Sequence, residues 1–163
     1  MNDKMEKALN DQINAEYHSS YLYLAMAAYF ESINMRGFAA WMTVQAREEM
    51  AHAMKFYHYI IERGGHVSLK AIPAPPDQWK SVLEAFQAAY AHEQYITGRI
   101  YKLVDLAQKD KDYATNAMLQ WFVSEQVEEE ASANEWVAKL EMVGGAKHGL
   151  YMLDREAGAR GAK

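Results

Sequence analysis

The sequence contains no cysteine, which excludes disulfides, thiolate zinc sites and thiol nucleophiles. It has only three prolines, Pro73, Pro75 and Pro76, and they lie in one short stretch. Since proline interrupts helices, the long proline-free runs on both sides of this stretch predict long helices with a single break. Any metal that the chain binds must be held by oxygen and nitrogen ligands.

The sequence also lacks an apolar run of membrane-spanning length and a strongly basic stripe. The net charge of -5 and the scattered basic residues argue against nucleic acid as a partner. Residues Met1 to Leu9 are charged and have no apolar signal-peptide core, so we expect a cytoplasmic protein. With 163 residues, 50% of them hydrophobic, the chain is expected to form a single domain over residues 1–163.

Apolar residues recur at steps of three and four in four long segments, which is the periodicity of amphipathic helices. Asp3 and Glu6 have the spacing of a capping box, and Gly64-Gly65 resembles a helix C-cap. The predicted helices run from about Asp3 to Ile33, Gly37 to Arg63, Trp79 to Gln108 and Tyr113 to Val143, with a short fifth helix from Lys147 to about Ala157.

The connection between the second and third helices, Gly65 to Gln78, is long and includes a portion of extended character, Val67 to Ile72. At about 3.3 Å per residue its fourteen residues reach roughly 46 Å. A 27-residue helix is roughly 40 Å long. The connection can therefore cross the whole bundle. We predict an all-α fold, an up-down-down-up four-helix bundle with one long crossover and a short C-terminal fifth helix.

A glutamate interrupts the apolar stripe near the middle of each long helix: Glu16, Glu49, Glu93 and Glu129. His52 follows Glu49 at the i, i+3 spacing, which places both side chains on one helix face. Because midpoints of packed helices share one layer, these five side chains are expected to meet inside the bundle. Buried carboxylates need compensating charge, and the inner stripes offer no Lys or Arg at this level for an ordinary ion pair. The pattern predicts a site for two metal ions.

The ligand types favour a particular metal. Several carboxylates with one imidazole and no thiolate suit Fe(II) or Mn(II) better than copper, structural zinc or calcium. Iron is our first choice. A carboxylate-rich shell stabilises Fe(III) relative to Fe(II), so the site should favour oxidation when dioxygen can bridge two irons. This hypothesis rests on the ligand set alone.

Several motifs resemble those of the ferritin-like di-iron carboxylate proteins, most closely the non-haem ferritins of bacteria and archaea. The resemblance covers almost the whole chain. It implies an iron-storage protein that oxidises Fe(II) with dioxygen at an intra-subunit ferroxidase centre and keeps the mineral inside a homo-oligomeric cage of 24 subunits. The motifs that carry it are Asn14-Ala15-Glu16, Tyr21-Leu22-Tyr23-Leu24, Glu48-Glu49-Met50-Ala51-His52, Glu62-Arg63-Gly64-Gly65 and the run from Gln120 to Glu130.

The resemblance implies two iron ions per subunit. Glu16, Glu49 and His52 would hold the first ion. Glu49 would bridge to the second ion, which Glu93 and Glu129 would hold. These residues are the expected catalytic set of a ferroxidase.

The second iron position departs from the general di-iron pattern, which has two Glu-x-x-His motifs. Here the fourth helix carries Gln126-x-x-Glu129, so the second iron loses its histidine. The resemblance implies that Gln126 would sit beside the iron pair. Our hypothesis is that this weaker position releases oxidised iron. Iron is then a substrate in transit rather than a permanent cofactor.

The resemblance adds a third, looser iron site on Glu48, Glu125 and Glu128, with Glu129 shared. A solvated acidic face is the simpler interpretation of these outer glutamates. Tyr23 resembles the family's tyrosine next to the centre, as an electron donor or as a buried hydrogen-bonding aromatic. The sequence is compatible with both interpretations of the outer glutamates and with both roles of Tyr23.

Other functions are compatible with parts of the pattern. Met50 stands where a bacterioferritin carries its haem-ligating methionine, although a packing role is simpler and we expect no haem. A di-iron peroxidase or oxygenase of the rubrerythrin type would keep its metals, but the cysteine domain of rubrerythrins is absent here. A DNA-protecting mini-ferritin or a plain structural bundle is the remaining alternative, and the basic tail expected of the former is missing.

Overall fold

The computed structural model describes residues 1–162. No β-strand occurs among these residues, and none of their helices is long and apolar enough to cross a bilayer. The all-α fold predicted from the sequence is confirmed. The elements are α1 (Asp3–Ser32), α2 (Arg36–Glu62), α3 (Val82–Lys109), α4 (Tyr113–Val143) and α5 (Lys147–Gly158), followed by a 3-10 turn over Ala159–Ala162.

The long helices form an up-down-down-up bundle. Helices α1 and α3 run in opposite directions, because Asn2 contacts Asp110 at one end while Ser19 contacts His92 further along. Short turns make α1 antiparallel to α2 and α3 antiparallel to α4. Helices α2 and α3 are therefore parallel, and the long connection between them crosses the bundle as predicted.

Helix α1 begins with a cap that differs from the predicted one. Asn2 is the N-cap, and its side-chain oxygen accepts a hydrogen bond from the Met5 backbone N–H at 2.9 Å. Asp3 and Glu6 lie in the first turn, where their negative charges interact favourably with the helix dipole. The predicted capping box from Asp3 to Glu6 is wrong. The cap is Asn2, one residue earlier, because asparagine caps a helix as well as aspartate does.

Helix α3 begins three residues later than the predicted start at Trp79. Ser81 is its N-cap and accepts a hydrogen bond from the Glu84 backbone N–H at 3.1 Å. This cap satisfies one of the free N–H groups at the helix start and fixes Val82 as the first helical residue.

The portion from Val67 to Ile72 forms no strand. Asparagines of α1 bind this part of the chain instead. The Asn10 amide donates to the His66 carbonyl at 2.9 Å, and its oxygen accepts from the Ser68 N–H at 2.7 Å. Asn14 donates to backbone carbonyls further along. The crossover is thus fastened to the bundle by side chains rather than by strand pairing.

Two apolar clusters lie on either side of a buried polar layer. The first is rich in aromatic rings and includes Phe30, Phe38, Trp41, Phe86 and Trp136. The second includes Ile13, Phe56, Ile96, Leu119 and Phe122. Burial of each large apolar side chain contributes about 1.5–3 kcal/mol, so the two clusters hold the helices together above and below the layer. The layer itself contains Gln12, Glu16, Gln45, Glu49, His52, Glu93, Gln126 and Glu129.

Helix α5 packs across the beginning of α2. The Phe38 backbone N–H donates to Asp154 Oδ1 at 2.9 Å, which caps a helix whose own N-cap residue makes no side-chain bond. The close approach requires Gly37, because a Cβ there would lie 1.6 Å from the Asp154 carbonyl oxygen. Gly158 faces Gly37 in the same contact. This docking brings Arg160 alongside α2.

Candidate metal centre

Among the described residues, three groups of metal-ligating side chains lie in or next to the polar layer, and the ligand atoms of each group are within 4.8 Å of one another. Glu49 belongs to both groups whose ligands are all buried, so those two share a carboxylate, whereas His52 and Glu129 recur in the third group with the half-buried Glu125. One shared carboxylate between two ligand sets is the arrangement expected of a bridged pair of cations. The group with histidine consists of Glu16, Glu49 and His52, and the group without histidine consists of Glu49, Glu93 and Glu129. The third, less buried group consists of His52, Glu125 and Glu129.

One carboxylate oxygen of the layer is buried without a hydrogen-bond partner. Glu16 Oε1 accepts from Gln12 Nε2 at 2.7 Å, but Glu16 Oε2 has no partner among the described residues. An unpaired buried acceptor costs about 1–3 kcal/mol. A bound cation would satisfy this oxygen, and the donor set of carboxylates and one imidazole fits Fe(II).

Burial raises the pKa of the four inner glutamates. The pKa of Glu16, Glu49 and Glu93 rises to about 8 and that of Glu129 to about 7. Loss of solvation is the main cause in each case, and the charge of a neighbouring glutamate adds to it. Metal ions that bind here must therefore displace protons.

Glu93 is held by two donors. The Tyr23 hydroxyl donates to its Oε1 atom, and Gln126 Nε2 lies 3.2 Å from its Oε2 atom. Burial and the Glu93 charge raise the pKa of Tyr23 well above its usual range, so the tyrosine stays protonated and remains a donor. The Gln126 amide nitrogen also lies 3.2 Å from Thr97 Oγ1. Tyr23 and Gln126 thus lie directly beside the group, and Tyr23 makes a hydrogen bond there. Its role as an electron donor stays a prediction.

The structure does not bring all residues of the predicted third site together. Glu125 lies near the centre, with its Oε1 atom 3.9 Å from His52 Nε2. Glu48 instead forms an ion pair with Arg160, with 2.6 Å between Oε2 and Nη2. Glu128 is exposed on α4. The third iron site stays a prediction, and it requires Glu48 to leave Arg160.

Sequence reasoning missed two glutamines and two arginines around the centre. Gln12 and Gln45 are buried and donate to the ligand carboxylates, while Arg99 and Arg160 bind the glutamine oxygens. The expectation that no Lys or Arg lies at the level of the four inner glutamates holds only for the inner stripes of the helices. A signal was present, because each glutamine precedes a ligand glutamate by four residues, the spacing of neighbours on a helix face.

A family model described as a ferritin-like domain matches residues 6–143, which include every inner ligand. The chain belongs to the ferritin family. The family assignment predicted from the sequence is confirmed. This ferritin is 46% identical to a bacterial non-haem ferritin of Staphylococcus haemolyticus over 154 residues, covering 94% of this chain and 93% of the relative. It is 43% identical to that of Staphylococcus aureus, with the same coverage of both chains.

Solved structures of archaeal ferritins have the same fold. A crystal structure described as an open-pore ferritin from Archaeoglobus fulgidus superposes with a TM-score of 0.98 at 52% identity, covering 98% of this chain and 99% of that chain. An engineered closed form of the same ferritin gives a TM-score of 0.97 at 51% identity, with 98% of both chains covered. These matches include the short C-terminal helix, which lies outside the family model.

Proposed function

We propose that this ferritin oxidises Fe(II) with dioxygen at the centre formed by Glu16, Glu49, His52, Glu93 and Glu129. The resulting Fe(III) is stored as a mineral inside a cage of 24 copies in the cytoplasm. Storage is supported by the relatives named non-haem ferritin. The observation that carries the oxidation chemistry is the shared Glu49 carboxylate, which links two ligand groups in a layer enclosed by two apolar clusters.

The proposed reaction needs two Fe(II) ions side by side. Each ion gives one electron to dioxygen, which takes up two electrons and two protons to form hydrogen peroxide. The two protons come from the solvent, which also takes up the protons that the glutamates release when the ions bind. The anionic ligands stabilise the higher charge of Fe(III), while His52 supplies a nitrogen ligand to one of the two groups.

We further propose that oxidised iron leaves from the group without histidine. That group, formed by Glu49, Glu93 and Glu129, has only carboxylates, and the neighbouring Gln126 amide nitrogen faces Glu93. Titration with iron, with and without oxygen, tests this proposal. Two equally tight irons that do not exchange after oxidation would contradict it.

The ferroxidase proposal is tested with His52→Ala and Glu49→Ala, with Glu62→Ala as a control for loss of an exposed glutamate. Both centre variants should remain folded but oxidise Fe(II) at least about tenfold more slowly, because each loses a ligand. Oxidation is followed by absorbance, and the iron content of the soluble particle is measured after size-exclusion chromatography. Control-like rates in both variants would remove these residues from the mechanism.

Measurements on the same preparation distinguish an iron-storage protein from the alternative functions. A soluble core of hundreds of irons per particle would fit storage, whereas a retained pair of ions would fit a peroxidase or oxygenase. A Soret band in the purified protein would favour a bacterioferritin-like protein with Met50 at the haem. We propose iron without haem, in keeping with the non-haem relatives.

A further inference from the structure

The first arginine reaches the centre through Gln12. The Gln12 side chain is 1% exposed, and its amide nitrogen donates to Glu16 Oε1 at 2.7 Å. Its amide oxygen accepts a hydrogen bond from Arg99 Nε at 2.9 Å. Arg99 is itself fixed by a second hydrogen bond, from Nη2 to the Asp11 carbonyl at 3.0 Å. Glu16 is thus connected to a cation on α3 that it does not touch.

The second arginine reaches the centre through Gln45, which is also 1% exposed. Its amide nitrogen donates to Glu49 Oε1 at 2.8 Å and to Glu129 Oε2 at 2.7 Å. Its amide oxygen accepts from Arg160 Nη2 at 2.8 Å. The Arg160 guanidinium also lies over the Trp41 ring, 4.2 Å from its centroid. One amide therefore holds carboxylates from α2 and α4 at once.

The arginines determine which way each amide points. An amide can present either its oxygen or its nitrogen to a neighbour, but a guanidinium has only donors. The amide oxygen must therefore face the arginine, and the amide nitrogen must face the carboxylates. Rotation by 180° would place an oxygen against a carboxylate oxygen and a nitrogen against a guanidinium. The arginine thereby keeps the carboxylate in place without occupying the position of a cation.

We propose that Arg99 and Arg160 are positioning residues that act through Gln12 and Gln45 to hold the ligand carboxylates in a geometry ready for two metal ions. The inference rests on the proposed function and adds residues outside the ligand set to it. The two connections reach different ligands. Arg99 acts on Glu16, in the group with histidine, whereas Arg160 also acts on Glu129, in the group without it.

Co(II) binding to the intact protein tests the proposal without relying on oxidation. Titration followed by visible absorption gives the dissociation constants, and the band lost in His52→Ala assigns the group that contains histidine. Arg160→Gln and Arg99→Gln remove the cations, and Gln45→Met and Gln12→Met remove the amides at similar volume. Matched controls are Arg155→Gln on α5 and Lys102→Gln on α3, both exposed cations.

Each test variant should weaken Co(II) binding about tenfold, the lower end of the effect of residues that orient metal ligands. Arg99→Gln should act on the group with histidine, and Arg160→Gln more strongly on the group without it. The double variant Arg160→Gln/Gln45→Met should bind no more weakly than Gln45→Met alone, because the arginine acts through the glutamine. The control variants should bind like wild type.

Three outcomes would overturn the inference. Wild-type affinities in both arginine variants, with two Co(II) bound per subunit of wild type, would refute it and leave the proposed function intact. Additive effects in the double variant would show that Arg160 does not act through Gln45. Failure of the wild type to bind Co(II) would overturn the proposed function and this inference together.

Discussion

The Tyr23 hydroxyl donates a hydrogen bond to Glu93 Oε1, and both side chains are 1% exposed. We expect Tyr23→Phe to lower the free energy of unfolding by about 1–3 kcal/mol, because it removes a donor from a buried carboxyl group. Denaturant titration of the metal-free protein measures this change. Tyr21→Phe is the control, since Tyr21 is 48% exposed. Equal stability of the two variants would mean that the Tyr23–Glu93 hydrogen bond makes no net contribution to the free energy of unfolding.

The raised pKa values predict that the metal-free protein loses stability as the pH rises. Glutamates with an ordinary pKa of 4.5 are deprotonated in the unfolded chain above that pH, whereas Glu16 and Glu93 keep their protons in the folded state up to about pH 8. The folded state therefore binds more protons between these values, and its stability falls with pH. The contribution is fully present below about pH 4.5 and is lost through about pH 8.

Thermal unfolding at pH 5.5, 7.0 and 8.5 measures this dependence. The melting temperature of the metal-free protein should fall by about 5 °C or more across the range. Saturation with Co(II) should reduce the fall, because the ions replace the protons as compensation for the negative charge. Glu16→Gln should also reduce it, since one titrating group is removed. A melting temperature that rises with pH in the metal-free protein would contradict the prediction.

The position of Glu49 in two ligand groups predicts an asymmetry between single substitutions. Glu49→Gln should reduce Co(II) binding from two ions per subunit to fewer than about one, because both groups lose a ligand. Glu16→Gln should leave about one ion bound, because only the group with histidine is damaged. Isothermal titration calorimetry counts the ions. Equal stoichiometry in the two variants would show that Glu49 is not shared.

The layer of four glutamates was predictable because helical periodicity fixes which face of a helix is buried, and the midpoints of packed helices meet. The starts of the helices were harder to predict, since the N-cap Ser81 rather than the apolar pattern decides where α3 begins. Arg160 lies 115 residues from Gln45 in the chain, and no local pattern specifies such a contact. Arg160 also pairs with Glu48, so the predicted third site requires that ion pair to break.

The docking of α5 depends on the absence of a side chain at Gly37. A Cβ there would lie 1.6 Å from the Asp154 carbonyl oxygen, and rotation of a side chain cannot relieve an overlap with backbone. We expect Gly37→Ala to displace α5 and to lower the free energy of unfolding by about 1–3 kcal/mol. Thermal unfolding and limited proteolysis of the segment after Ala146 measure the effect.

Gly98→Ala is the matched control, because a Cβ at Gly98 has no neighbour within 4 Å and the residue lies inside α3. That substitution should stabilise the protein by about 0.5–1 kcal/mol through helix propensity. Since the docking of α5 brings the following turn, with Arg160, to Gln45, Gly37→Ala should also weaken Co(II) binding about as much as Arg160→Gln does. Loss of α5 docking with unchanged Co(II) affinity would separate the packing of this helix from the geometry of the metal centre.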